Sequence, residues 1–185
     1  RRVLFRPLKT MEFKDLIAKR RSTRKFSDRV VPREVVDRIL AEALTAPSAR
    51  NSRTTRFLVV DDPALVARMA EMRDYGSAFL KNAPLAILVL GDTSTSDLWR
   101  ENGAISATVL QLACVDEGLA SCWVHVHGRP RRKDDPQGEM AADYLRTFLP
   151  IPDSCEPLCA IAVGYSDFVP APLPEYVGEE RIIRL

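Results

Sequence analysis

The stretch GAISATVLQLACVDEGLASCWVHVH, residues 103–127, carries the clearest change of period in the sequence. Ile105, Val109 and Leu112 recur every three to four positions, which predicts a helix over Gly103–Glu117 with those three side chains inward. Gly118 then supplies the residue that best tolerates the left-handed turn closing a helix. Ser121–Val126, rich in β-branched and aromatic residues, reads as a strand beginning beneath the helix's C-terminal end. Working outward, Leu85–Leu90 is a continuous apolar run, the pattern of a strand buried on both faces. Phe57–Val60 and Leu158–Val163 are further strands, the latter ending at Gly164. Helices are predicted over Met11–Arg20 (Phe13, Leu16 and Ile17 on one face), from Pro32 as first helical residue to Leu44, after Asp62-Pro63 (Leu65, Val66, Met69 and Met72 inward) and over Glu139–Leu149. Helices and strands mix without strict βαβ alternation. That favours an α+β sandwich, one sheet covered by helices, over a doubly wound fold. No G-x-G-x-x-G follows a strand and no P-loop occurs, so neither phosphate-binding turn is indicated.

Composition bounds the possibilities. The 185 residues suit one domain, with 46% hydrophobic and 28% charged side chains. Twenty-seven basic residues against 25 acidic give +2, too balanced for nucleic acid as the main partner. No apolar run approaches the roughly 18 residues of a membrane span; the longest, Ala83–Leu90, contains a proline. Arg1–Thr10 is basic and lacks the apolar core of a signal peptide. It reads as a tag or upstream extension ahead of a start at Met11, with a functional basic arm as the alternative. Residues 11–185 form the expected single domain, with a tail from about 166. Cys114, Cys122, Cys155 and Cys159 form no C-x-x-C pair and read as reduced core residues of a cytoplasmic protein.

Three segments carry candidate chemistry. Lys19-Arg20-Arg21-Ser22-Thr23-Arg24-Lys25 packs five basic residues and two hydroxyls into seven positions. Arginine forks beside a hydroxyl suit a phosphate dianion; a solvated basic turn is the competing reading. Pro47-Ser48-Ala49-Arg50-Asn51-Ser52-Arg53 follows a helix and leads into a strand. Its small residues admit a flat ligand close to the backbone, and Asn51 can both donate to and accept from a ring amide edge; an ordinary connecting loop would look the same. In Gly118–His127 both histidines of the chain, His125 and His127, share one strand face. A metal pair there lacks a third ligand.

In this order and spacing the segments resemble the nitroreductase family. The resemblance spans about Met11 to Gly164. It rests on Arg20, Ser22 and Arg24 in an R-x-S-x-R pattern, Pro47-Ser48-Ala49-Arg50-Asn51 as P-S-x-x-N, Gly118-Leu-Ala-Ser-Cys-Trp123 as the helix-to-strand junction, and Ile161-Ala-Val-Gly164-Tyr165 as I-x-x-G-Y. The length matches the compact members. The resemblance implies a nitroreductase-like α+β sandwich, a mixed β-sheet flanked by helices, in an entwined homodimer with FMN at each subunit interface. It implies that Arg20 and Ser22 grip the FMN phosphate, that Arg24 reaches the pyrimidine edge, that the Pro47–Asn51 loop (Pro47, Ser48, Ala49 and Asn51) comes from the other subunit with Arg53 in the interface wall of the cofactor pocket, and that the backbone of Trp123, Val124 and His125 faces the flavin near N5. Hydride would pass from NADH or NADPH to a nitroaromatic, quinone or related acceptor in ping-pong fashion, with the flavin and no side chain carrying the chemistry. A flavin-binding sensor or store, or a dehalogenase-type branch, is the alternative.

Two departures stand out. Where the family commonly has Ser-Gln-Pro-Trp, this chain has Ser52-Arg53-Thr54-Thr55, which adds a charge to the pocket wall. Ser166–Pro172, after the G-Y pair, lacks the basic residue that often holds the phosphate; Arg129 and Arg21 are the candidate substitutes.

Overall fold

The computed structural model describes residues 11–171 and 181–184. The expected extension, residues 1–10, and half of the expected tail, residues 172–180 and 185, lie outside the described residues. Four strands, β1 (Thr55–Val60), β2 (Leu85–Asp92), β3 (Ala120–His125) and β4 (Cys155–Gly164), form one sheet in the order β1-β2-β4-β3. Every neighbouring pair is antiparallel. The expectation of a mixed sheet is corrected here: the one parallel pairing among the described residues is an isolated bridge between Ser22 and Ser121.

The two sheet faces bury separate cores. On one, Ala86, Leu88, Leu90, Val124, Ala160 and Ala162 meet Val66 and Met69 of α3 (Pro63–Ala70) and Tyr144 and Leu145 of α5 (Ala141–Arg146). On the other, Leu85, Ile87, Val89, Ile161 and Val163 meet Val35, Val36 and Ile39 of α2 (Arg33–Ala43) and Ala107, Leu110 and Cys114 of α4 (Trp99–Asp116). Every β2 residue is buried, as its unbroken apolar run predicts. The start of α3 follows from Asp62-Pro63: the carboxylate accepts from Ala64 N (2.7 Å) and Leu65 N (3.1 Å), and proline sits where its missing N–H costs nothing. Pro32 is the N-cap of α2 rather than its first helical residue. The predicted Glu139–Leu149 helix shortens to α5. Among the described residues no helix is long and apolar enough to cross a membrane.

Two helices depart from the expected packing. The face of α4 that meets the sheet is Asn102, Gly103, Ser106, Ala107, Leu110, Gln111, Ala113 and Cys114, whereas Ile105 is 41% exposed and Val109 and Leu112 are half-buried. The reason is close approach. A Cβ on Gly103 would lie 2.8 Å from Leu158 Cδ2, so the small-residue stripe faces the sheet and the bulky apolar stripe is left outward. In α1 (Phe13–Lys19), which lies beside α4, no residue is buried, and Phe13 and Ile17 are 67% and 49% exposed.

Candidate functional site

Residues 20–24 run in extended form along the free edge of β3. Thr23 N donates to Ser121 O (3.0 Å), and the bridge at Ser22 fixes the register. Thr23 is buried, so Ser22 and Arg24, on either side of it, point outward by strand alternation and are exposed. Burial pushes the Cys122 thiol up from its ordinary value, opposed by the Arg24 charge, a hydrogen bond from Ser22 and the Arg20 charge. Arg20, Ser22 and Arg24 stand two positions apart on this segment, at the beginning of β3, where Ser22 bridges Ser121. Arg24 also lies over the Phe79 ring at 5.7 Å. Arg21 turns away: its Nη1 donates to the carbonyls of Ala18 (2.5 Å) and Arg20 (2.8 Å), capping the end of α1. Its Nε is buried without a partner. Tyr165 lies at this same end of the sheet, where its carbonyl accepts from Ser27 N (2.9 Å) and its ring lies 3.7 Å from the Arg29 guanidinium carbon.

The Pro47–Arg53 loop is a second, separate centre. Arg50, Asn51 and Arg53 all have left-handed φ, 52°, 54° and 47°, a conformation that costs a non-glycine residue about 1–2 kcal/mol. It is held by Ser48 Oγ, which accepts from Arg53 N (3.0 Å), and by Asn51 Oδ1, which accepts from Arg53 Nε (3.0 Å). The largest clamp was not foreseen from the sequence. Asn102, 1% exposed on α4, accepts from Ala49 N (2.8 Å) and donates to Ser52 Oγ (3.1 Å) and Thr54 Oγ1 (3.0 Å). The turn leaves Asn51 and Arg53 exposed.

These two centres stand at opposite ends of the sheet. Ser22 bridges Ser121, which pairs with Val163, which pairs with Leu85. The loop enters β1 at Thr55, which pairs with Gly91. Leu85 and Gly91 are separated along β2 by about 20 Å at the rise of an antiparallel strand.

The backbone of Trp123, Val124 and His125 lies between these ends. Trp123 stacks on His125 (centroids 6.2 Å, planes 12° apart), and Trp99 meets His127 edge-on at 4.9 Å. Arg73, also missed from the sequence, donates from Nη1 to His125 O at 2.9 Å. Burial lowers the His125 pKa, and the charges of Arg129, His127 and Arg73 lower it further. Arg129 sits past the far end of β3, away from the Ser22 bridge, and is exposed.

The sequence pattern of the Nitroreductase family matches residues 17–73 and 70–165. An FMN-dependent nitroreductase structure from Clostridium difficile R20291 is 36% identical and superposes with a TM-score of 0.84, covering 92% of this chain and 96% of that one. A protein of Methanothermobacter thermautotrophicus named "Putative NADH dehydrogenase/NAD(P)H nitroreductase" is 32% identical over 84% of this chain and 78% of its own. An iodotyrosine deiodinase of Haliscomenobacter hydrossis is 25% identical over 85% of this chain and 80% of its own.

Proposed function

This chain belongs to the nitroreductase family, and on that premise we propose that it is an FMN-dependent oxidoreductase passing reducing equivalents from NADH or NADPH to a nitroaromatic, quinone or related electrophile. The observation that carries the reading is the placement of Ser22 and Arg24, exposed on the segment bridged to the free edge of β3, with Arg20 two positions before them. None of these arginines has an ion pair among the described residues. Two uncompensated guanidinium groups and a hydroxyl fit a phosphate dianion and the electron-rich edge of a flavin ring.

FMN would supply hydride acceptance and donation at N5. The chain's own residues would bind and orient. Arg20 and Ser22 would hold the phosphate, and Arg24 would place a fixed positive charge where electron density grows on reduction. The Trp123–His125 backbone would lie along the ring. Asn51 and Arg53 would close the site from a second subunit, since in one chain the loop stands about 20 Å along the sheet from the Ser22 bridge. The exposed apolar residues Phe13, Ile17, Leu98 and Ile105 supply surface for such a homodimer. A dehalogenase-type branch is less favoured: only residues 93–98 separate β2 from α4, which leaves little room for a lid there.

The test is anaerobic stopped-flow reduction of the purified protein by NADH and by NADPH, followed by a panel of acceptors. A yellow protein that bleaches rapidly and recolours with acceptor is expected. Failure to gain flavin absorbance on adding FMN defeats the proposal; a flavin that stays oxidised with both nicotinamides reduces it to a binding protein.

A further inference from the structure

We propose that Arg73, Arg100, His125, His127 and Arg129, gathered at the far end of β3, form a recognition site for an oxyanion, carboxylate or phosphate, carried by a molecule that reacts at the neighbouring redox site. The inference rests on the redox site lying along Trp123–His125.

The five residues come from three segments. Arg73 follows α3 and holds the His125 carbonyl at 2.9 Å. Arg100 stands in the first turn of α4, its Nη1 3.4 Å from His127 Nε2. Arg129 follows the strand, and its charge reaches His125 together with those of His127 and Arg73. Like charges brought together oppose folding unless something compensates them. No carboxylate does so here: among the described residues the ion pairs fall on Arg38, Arg56, Arg131, Arg132 and Arg146, never on Arg73, Arg100 or Arg129. The chain as a whole carries 27 basic and 25 acidic side chains, so the local excess does not reflect composition. Arg73 also leaves its Nε buried without an acceptor, a desolvated donor of the kind that calls for an explanation in a native fold.

The surroundings favour an anion attached to a flat ring. Arg73 packs over Tyr75 at 4.1 Å and Arg100 over Trp99 at 5.5 Å, while Trp99 and Trp123 flank the two histidines. His125, with its pKa lowered, stays neutral near pH 7 and offers a hydrogen bond, and the arginines supply the charge. The α4 N-terminus, with no side-chain cap, adds its partial positive charge at the same place.

The experiment compares the FMN-loaded wild type with Arg100→Gln, Arg100→Gln/His127→Gln and Arg100→Lys. Binding of 4-nitrobenzoate and of uncharged 4-nitrobenzyl alcohol to the oxidised protein is read by calorimetry without nicotinamide; KM values for NADPH and NADH are read separately. The double variant is expected to lose about tenfold in affinity for the anionic member of a pair. The member without the extra anionic group, 4-nitrobenzyl alcohol or NADH, should change less than about twofold, and Arg100→Lys should recover part of the loss. Selective weakening of 4-nitrobenzoate supports the site and identifies a carboxylated acceptor. A selective rise in the NADPH KM supports it and identifies the nucleotide's extra phosphate. Equal effects on both members of both pairs, or none, overturn the inference. Selective 4-nitrobenzoate binding by a protein that neither nicotinamide reduces supports the anion site and overturns the redox reading, so the two fail separately.

Discussion

On α4, the buried Asn102 amide uses both of its ends: the oxygen accepts from Ala49 N and the nitrogen donates to the Ser52 and Thr54 hydroxyls. Asn102→Leu would remove all three bonds and leave the Ala49 N–H without its acceptor. A loss of about 2–4 kcal/mol in urea unfolding is expected, with lower FMN affinity if the loop contacts the flavin. Asp92 makes a second residue-scale prediction. Its carboxylate accepts from the Ser94 hydroxyl (2.6 Å), Ser94 N (3.1 Å) and Arg56 Nη2 (3.3 Å), and these bonds hold its pKa below the usual carboxylate value. A depressed carboxylate contributes stability that is present above its unfolded pKa, about 3.9, and is lost as pH falls through its lower folded value. Asp92→Asn should therefore lower stability at pH 7 and flatten its fall below about pH 4, as followed by thermal unfolding across pH. The R-x-S-x-R residues could be nominated from sequence because they stand two positions apart, on one side of an extended segment, although the residue that fixes that segment, Ser121, lies far along the chain. Asn102 and Arg73 could not: their partners, Ala49 and His125, lie some fifty positions away, and nothing local marks either residue.

At the scale of elements, α4 shows what periodicity can and cannot tell. Its helical repeat was legible, and so was the strand that follows Gly118. Its phase was not. The helix has two usable stripes: Ile105, Val109 and Leu112, and the smaller set containing Gly103, Ser106, Ala107 and Leu110. A count of apolar residues picks the first. Close packing picks the second, because Gly103 admits Leu158 and Gly91 of β2 admits the Trp99 ring. β2 had no such ambiguity, since a strand buried on both faces has no phase to misread. The outward stripe then needs another occupant, and a second copy of the chain is the one the proposed function requires. Ile105→Lys places a charge in that stripe, on a residue already 41% exposed. The variant should keep its circular dichroism and Tm within a few degrees at the monomer level. It should shift from dimer towards monomer in light scattering at micromolar concentration, losing bound FMN in parallel. An unchanged dimer would show that this face is not the interface.

The whole-molecule prediction follows from the separation of the two centres. The antiparallel register fixes Ser22 at the Leu85 end of β2 and the Pro47–Arg53 loop at the Gly91 end. No change of side-chain rotamer closes a gap of about 20 Å across a packed sheet. If one flavin touches both centres, they belong to different subunits, and each dimer holds two such sites. Damage to the first centre and damage to the second should then complement each other. Arg20→Gln/Ser22→Ala and Asn51→Ala/Arg53→Ala would each give homodimers with both sites impaired. A mixed dimer of the two has one site with both lesions and one with neither. Co-expressed with different affinity tags and purified through both, it should bind about half of the wild-type flavin and recover about half of the NAD(P)H-dependent reduction, values set by subunit geometry alone. Sites contained within single subunits predict a different result. Every site in the mixed dimer would then carry one lesion, and its activity would be the average of the two impaired homodimers, with no recovery above them.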